Sequence, residues 1–306
     1  MSKAAFRTIL VADENPEAVV AALDKVAVLE HFTGAAVRAG HVFHDAIADD
    51  RSGYFSDVES KAIVEKVIET QRQRLEDLVA PQRQHIADLS ACVIWNRSGA
   101  AGIVAEARAI SASLIVKPLA KHRVLQDYLH APIDWQIMRD APCPVLFTRR
   151  QPWADKPRLL AALDVVDKAH SALNRAILEH AKLFSEVLDA KLHLVTAYPD
   201  FRQYPSQYQV ASDFEGIKAD MRTRRVAMLE TLSESLGMTA AELHVLEGRP
   251  RDAICDVAKR IDAQIVVLGT SARKGLKKLF IGNTAEDVIG HLGTDLLTVR
   301  ATPDSR

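Results

Sequence analysis

The chain repeats itself at a nearly fixed distance, and that limits its possible folds more than any other feature. RTILVADEN (Arg7–Asn15) and RLLAALDVV (Arg158–Val166) are both apolar runs that reach an aspartate, and Asp164 lies 151 residues after Asp13. GIVAEARAISASLIV (Gly102–Val116) matches AICDVAKRIDAQIVV (Ala253–Val267) through Ile103/Ile254, Ala107/Ala258, Ile110/Ile261, Ala112/Ala263 and Val116/Val267, all at the same offset. CPVLFTR (Cys143–Arg149) falls on TDLLTVR (Thr294–Arg300), again 151 apart, and LEH recurs at Leu29–His31 and Leu178–His180 with the offset slipping to 149. A single match means little, but a spacing kept along the whole chain means duplication.

Each half reads as the same series of elements. A strand is expected at Thr8–Ala12 and at Leu159–Leu163, then a helix at Pro16–Phe32 and at Lys168–Leu188. A second strand follows near Ala35–Phe43 and Lys191–Ala197. A long helix comes next, opened by Ser56 with Glu59 or by Ser212 with Glu215, which have capping-box spacing, and Gly237 is placed to end the second copy. A third strand, at Cys92–Asn96 and Leu243–Glu247, precedes a helix at Gly102–Ser111 and Asp252–Asp262. The fourth strand is Leu114–Val116 or Ile265–Leu268, and a last helix leads to the fifth, Val145–Thr148 or Leu296–Val299. The strands are short continuous apolar runs, as in a parallel sheet covered on both faces. The expected fold class is α/β: two tandem doubly wound domains with five-stranded parallel sheets, over 1–150 and 158–303, joined by TRRQPWADKPR (Thr148–Arg158). The apolar strand Leu296–Val299 is where one half, or a second copy of the chain, is expected to pair.

Composition removes several function classes. A formal net charge of −1 leaves no domain-wide basic field for a nucleic-acid backbone. The three cysteines include no CxxC pair, which argues against a disulfide framework or a thiolate zinc site. MSKAAFRTILVADENP has too short an apolar run for a signal peptide, and no stretch is apolar enough to span a membrane, so a cytoplasmic protein is expected. No Walker, GxSxG, HExxH or Gly-x-Gly-x-x-Gly pattern occurs, and ADENP and LDVVD lack the loop an adenylating α/β enzyme needs after its first strand. No catalytic residue is expected.

In an open parallel sheet a ligand binds beyond the carboxyl ends of the strands, where the strand order reverses. In the second half that brings together Asp164, Ala197 and the stretch opened by Leu268 and Gly269. Gly269 would let the chain turn sharply. Gly282 and Asn283 stand where a helix begins, with free N–H groups suited to an anion, and Arg273, Lys274, Lys277 and Lys278 add positive charge. Each part also has a plain structural reading. Asn283 with Glu286 is a competent N-cap pair, Asp164 could cap its own helix, and the basic run could be a solvated face. His41, His44 and Asp45 offer metal-ligand chemistry, but alternation along an extended segment separates the histidines, so an ordinary loop is expected there. Tyr198–Phe214 holds five aromatics and reads either as a lid over an apolar ligand or as a packing surface.

The stretch VVLGTSARKGLKKLFIGNTAEDVI resembles the universal stress protein family, whose nucleotide-binding members carry Gly-x2-Gly-x9-Gly-(Ser/Thr) after the fourth strand. The resemblance covers essentially the whole chain as two copies, and DWQIMRDAPCPVLFTRRQPW and HLVTAYP resemble its tandem type. It implies an adenine nucleotide alpha hydrolase-like fold and a role in binding and signalling during stress adaptation, with slow ATP hydrolysis at most. It also implies halves packed like the two chains of a single-domain dimer. Carried over, the adenine contact falls on Asp164 and the phosphate contacts on Gly269, Gly282 and Asn283. The second glycine of the pattern is Ala272 here, and the hydroxyl residue is Asn283, with Thr284 next. The ligand implied is ATP or AMP, with magnesium if ATP. The alternative is a scaffold that binds a protein partner or an apolar small molecule, with a vestigial nucleotide site. In the first half the same positions are Pro118, Lys121, Ala131 and Pro132, so that half is expected to bind no nucleotide in this way.

Overall fold

The computed structural model describes residues 6–46, 56–119, 133–200, 214–238, 242–270, 285, 287–288 and 291–301. The chain divides into two compact units, Met1–Pro152 and Trp153–Arg306.

In the first unit, strand β1 (Thr8–Asp13) leads to helix α1 (Pro16–Thr33) and strand β2 (Ala36–Phe43). Helix α2 (Asp57–Val79) then precedes β3 (Leu89–Trp95), α3 (Gly99–Ala109), β4 (Leu114–Pro118), α4 (Ile133–Asp140) and β5 (Val145–Thr148). The second unit repeats the plan with β6 (Arg158–Ala162), α5 (Ser171–Val187), β7 (Lys191–Tyr198), α6 (Phe214–Ser235), β8 (Glu242–Glu247), α7 (Pro250–Arg260), β9 (Ile265–Thr270) and β10 (Asp295–Arg300). The strand orders are β3-β2-β1-β4-β5 and β10-β9-β6-β7-β8. The pairings of β1 with β2 and β4, and of β6 with β7 and β9, are parallel. The order therefore reverses at the first strand of each unit, between β1 and β4 and between β6 and β9.

The central strands are buried along their length. Ile9, Leu10, Val11, Leu114, Ile115 and Val116 are fully enclosed, as are Leu159, Leu160, Ala161, Ile265, Val266 and Val267. Parallel strands covered by helices on both faces need this unbroken apolar sequence. The helix ends follow local chemistry. Ser56 and Glu59 form the reciprocal capping box that their spacing predicts. Asn15 caps α1 with Pro16 inside the first turn, and Gly237, at φ +59°, takes the left-handed conformation just past α6.

Three expectations need correction. The helix expected over Gly102–Ser111 is α3, which begins three residues earlier because the Ser98 side chain accepts from Ala101 N and so sets the start. The helix expected from Lys168 opens as a separate 3-10 turn, Lys168–His170, capped by Asp167, before α5. Gly269 does not turn the chain: it lies inside β9, paired with Val299. A methyl group on it would come 2.7 Å from Leu173 and 2.9 Å from Ile177. The glycine serves the close approach of α5 to the sheet, not a bend.

Gly269→Ala is expected to destabilise the protein by about 1–3 kcal/mol through overpacking. Chemical denaturation of the variant against the parent measures it.

Candidate functional site

Above the carboxyl ends of β6, β7 and β9 the second unit encloses a cavity of about 760 Å³. Asp164, Ala197, Leu268 and Gly269, four residues singled out in the sequence, all line it. They come from three neighbouring strands, at the position where the strand order reverses. Ala272, Gly282, Asn283 and Thr284 lie outside the described residues, as do Ser212 and the basic residues from Arg273 to Lys278. Ala285, just beyond them, is buried and lines the cavity.

Asp164 is held from both sides. Its backbone N–H donates to Asn174 Oδ1 at 3.2 Å, and Asn174 Nδ2 donates back to its carbonyl at 2.6 Å. Asn174 is buried on α5, so the strand end is tied to that helix. The carboxylate accepts from Val166 N and Asp167 N through Oδ1, and Oδ2 lies 2.9 Å from His170 Nδ1. Asp164 thus orders the turn after β6, but its side chain stays half-exposed and faces the cavity. The cap of the following turn is Asp167, not Asp164.

The walls are mostly apolar: Leu163, Ile177, Val195, Ile254 and Leu268 among others. Against them stands Arg225, a charged residue of α6 that is only 7% exposed. Its guanidinium carbon sits 5.6 Å from the centre of the Tyr198 ring, and Nη1 donates to the Met221 carbonyl at 3.3 Å. Its buried Nε has no partner among the described residues. Burial lowers its pKa from the ordinary arginine value, while the Asp164 and Tyr198 charges oppose that shift. Sequence reading missed both Asn174 and Arg225. A signal existed for the second: Arg225 falls four residues after Met221 and four before Leu229, on the inward row of the helix.

The first unit fills the corresponding place with its own charges. Leu268 lies 151 residues after Lys117, the same offset as Asp164 from Asp13, so the two hold matching places in β9 and β4. The Lys117 ammonium is in direct contact with Asp13 Oδ2, lies 3.6 Å from Asp134 Oδ1, and donates to the Pro118 carbonyl at 3.1 Å. All three charged side chains are buried. Asp13 Oδ1 also accepts from Asn15 N at 2.7 Å. Where the second unit has an apolar wall and a half-exposed aspartate, the first has a closed ionic cluster.

Other reactive groups are engaged elsewhere. His41 lies buried in β2, with Nε2 3.1 Å from the Glu14 carbonyl, which corrects its reading as a loop residue. His44 faces Arg97 and the Trp95 ring instead. Burial pushes the Cys92 and Cys143 thiols up to about 12, far from nucleophilic thiolates. Among the described residues, His193, Glu242 and His244 bring ligand-type atoms within 4.8 Å of one another. Their hydrogen bonds argue against a metal. Arg260 donates to His244 Nδ1 at 2.9 Å, and a guanidinium can only donate. The His244 proton therefore sits on Nε2 and is given to His193 Nδ1, 3.2 Å away. The histidine lone pairs of this group are already in use.

Two tandem doubly wound domains, one with a cavity at its switch point, define a duplicated α/β protein of nucleotide-fold type. The universal stress protein family model matches residues 5–149 and again 157–300. The chain belongs to the universal stress protein family, as a tandem member. It is 30% identical over 259 residues to universal stress protein E homolog of Haemophilus influenzae, covering 82% of each chain. It is 31% identical over 220 residues to universal stress protein E of Escherichia coli K12, covering 68% of this chain and 67% of that one. A crystal structure of a universal stress protein from Pseudomonas aeruginosa UCBPP-PA14 matches with a TM-score of 0.71 and 27% identity, covering 98% of this chain and 95% of that one. No helix among the described residues is long and apolar enough to cross a membrane.

Two outcomes are expected. Lys117→Met leaves two buried carboxylates without their cation and should cost about 3–5 kcal/mol. Adding Asp13→Asn and Asp134→Asn should recover much of that loss in urea denaturation. The second concerns pH. Burial holds the pKa values of His193 and His244 below the ordinary histidine value of 6.5, so the folded state keeps both rings neutral. The unfolded state takes up protons first as pH falls. Stability from this pair is complete above about pH 6.5 and declines below it. The wild type should lose more stability between pH 7.5 and pH 5.5 than the His193→Leu/His244→Leu variant.

Proposed function

We propose that the second unit binds an adenine nucleotide, ATP or AMP, in the cavity above β6, β7 and β9, and that the protein acts as a ligand-responsive module in stress adaptation. One observation carries the reading: Asp164, Ala197, Leu268 and Gly269, chosen from the sequence, line one cavity at the switch point. A cavity of about 760 Å³ is within the range that small-molecule sites occupy. Its apolar walls suit a flat base, and the half-exposed Asp164 carboxylate can accept a hydrogen bond from the exocyclic amine of adenine. Gly282 and Asn283 are the residues we assign to the phosphates, with Thr284 beside them and Ala272 in place of a glycine.

The first unit binds no nucleotide in this account. Asp13, its counterpart of Asp164, is committed to Lys117, and the lysine stem stands where the second unit offers Leu268. Ligand binding would then bias the conformation or the partners of the protein by its differential affinity for one state. Nothing in the described residues resembles a tuned general base, so binding rather than turnover is the activity proposed.

Thermal denaturation with AMP, or with ATP and magnesium, tests this. Ligand at about a hundred times its Kd should add about 2.7 kcal/mol of stability. Asp164→Ala should weaken adenosine and AMP alike by roughly tenfold, the loss of one hydrogen bond to a charged group. An unchanged melting temperature at millimolar nucleotide would overturn the reading.

A further inference from the structure

The second unit carries a buried cation, Arg225, that its described residues partner only in part. The exposure pattern along residues 71–79 of α2 recurs along 221–229 of α6 at all but one position. In that alignment Arg225 stands where the first unit has Leu75, a fully buried core leucine. An arginine in a leucine's place loses hydration and must be answered by hydrogen bonds or by charge. Here the answer is incomplete. One long bond reaches the Met221 carbonyl, a ring face lies alongside, the Asp164 charge acts without a direct contact, and Nε has no partner among the described residues. The residue lines the cavity, so an anion that enters it can supply a further partner.

A second difference falls at the same end of the cavity. Ser98 caps α3 in the first unit by accepting from Ala101 N. The residue 151 positions later is Arg249, which caps α7 without any side-chain hydrogen bond. Gly248, at φ +127°, brings the chain over to that helix, and Gly248, Arg249 and Pro250 all line the cavity. One unit supplies its own acceptor to the helix start. The other removes it, places a cation there, and turns the helix start toward the cavity. A third difference agrees in sense: Leu268 stands in the place of Lys117, and Asp164, the counterpart of Asp13, stays half-exposed.

We propose that the cavity of the second unit contains an anion subsite, built by Arg225 and the uncapped start of α7 with Arg249 at its rim, that takes the carboxylate or phosphate of a small organic anion. This deepens the nucleotide reading by sharing its cavity, but it does not depend on recognition of a base. Arg225 lies over the end of β7, whereas Gly269 lies in β9, with β6 between them. At about 4.8 Å per strand the two ends of the cavity are roughly 10 Å apart. The anion at Arg225 is therefore a different group from any phosphate held beside Gly269. The body of the ligand crosses apolar wall between the two.

Isothermal titration and thermal denaturation of the full chain test this with four probes: inorganic phosphate, octanoate, octanol and adenosine. Octanoate or phosphate should bind the wild type and raise its melting temperature, and uncharged octanol should raise it less. The two anions separate a carboxylate subsite from a phosphate one. Arg225→Leu, which restores the residue of the first unit, should weaken the anion by about 10–100-fold, as loss of a charge-assisted hydrogen bond does. It should also raise the melting temperature without ligand, because an under-partnered buried charge is removed. Arg225→Lys should keep part of the affinity, and it covers the case in which the leucine variant misfolds. Adenosine carries no anion, so it should bind wild type and Arg225→Leu equally if the nucleotide reading holds. Anion binding without adenosine binding would leave this proposal standing and remove the base. Equal response to octanoate and octanol, or anion affinity unchanged in both Arg225 variants, would overturn it.

Discussion

A charge taken out of water has to be answered, either by another charge of the same chain or by something that arrives from outside. The two copies in this protein meet that constraint in opposite ways. In the first, Lys117 sits among Asp13, Asp134 and the Pro118 carbonyl, and these groups answer one another above the sheet. In the second, the lysine is a leucine, the aspartate is half-exposed, and an arginine is buried beside an apolar cavity, its Nε without a partner among the described residues. The fold is the same, but the local accounting of charge decides which copy has room for a ligand.

The shared fold makes this division possible. Each sheet reverses order at its first strand, so the chain ends of neighbouring parallel strands open onto one crevice. Unbroken apolar strands fix that crevice in place whatever its contents. Substitutions at its rim, such as leucine to lysine within β4 or leucine to arginine on the long helix, leave the layers intact. Duplication therefore gave two equivalent crevices that could change independently, one towards an internal ion cluster and one towards an open cavity.

Much of this was legible in the sequence. The 151-residue offset and the continuous apolar strands identified two doubly wound units, and the fold logic led to Asp164, Ala197, Leu268 and Gly269, which converge on one cavity. The reason assigned to Gly269 was wrong. A glycine ending an apolar run looks like a turn, but here the requirement is side-chain space for Leu173 and Ile177, a tertiary contact that no local pattern records. The Lys117 cluster was hidden for a similar reason, since its partners Asp13 and Asp134 are far apart in sequence. Arg225 was readable as a break in the inward row of α6. Its meaning came only from the cavity beside it and from Leu75 at the matching place in the other copy.

The central claim is that ligand binding belongs to the second copy alone. Amide hydrogen exchange of the whole chain, with and without saturating AMP, measures it directly. The account predicts slower exchange around residues 162–166, 196–200 and 248–254, with no change around 11–15, 95–102 and 116–118. Protection in the first set of strand ends of the chain, around Asp13 and Lys117, would contradict it.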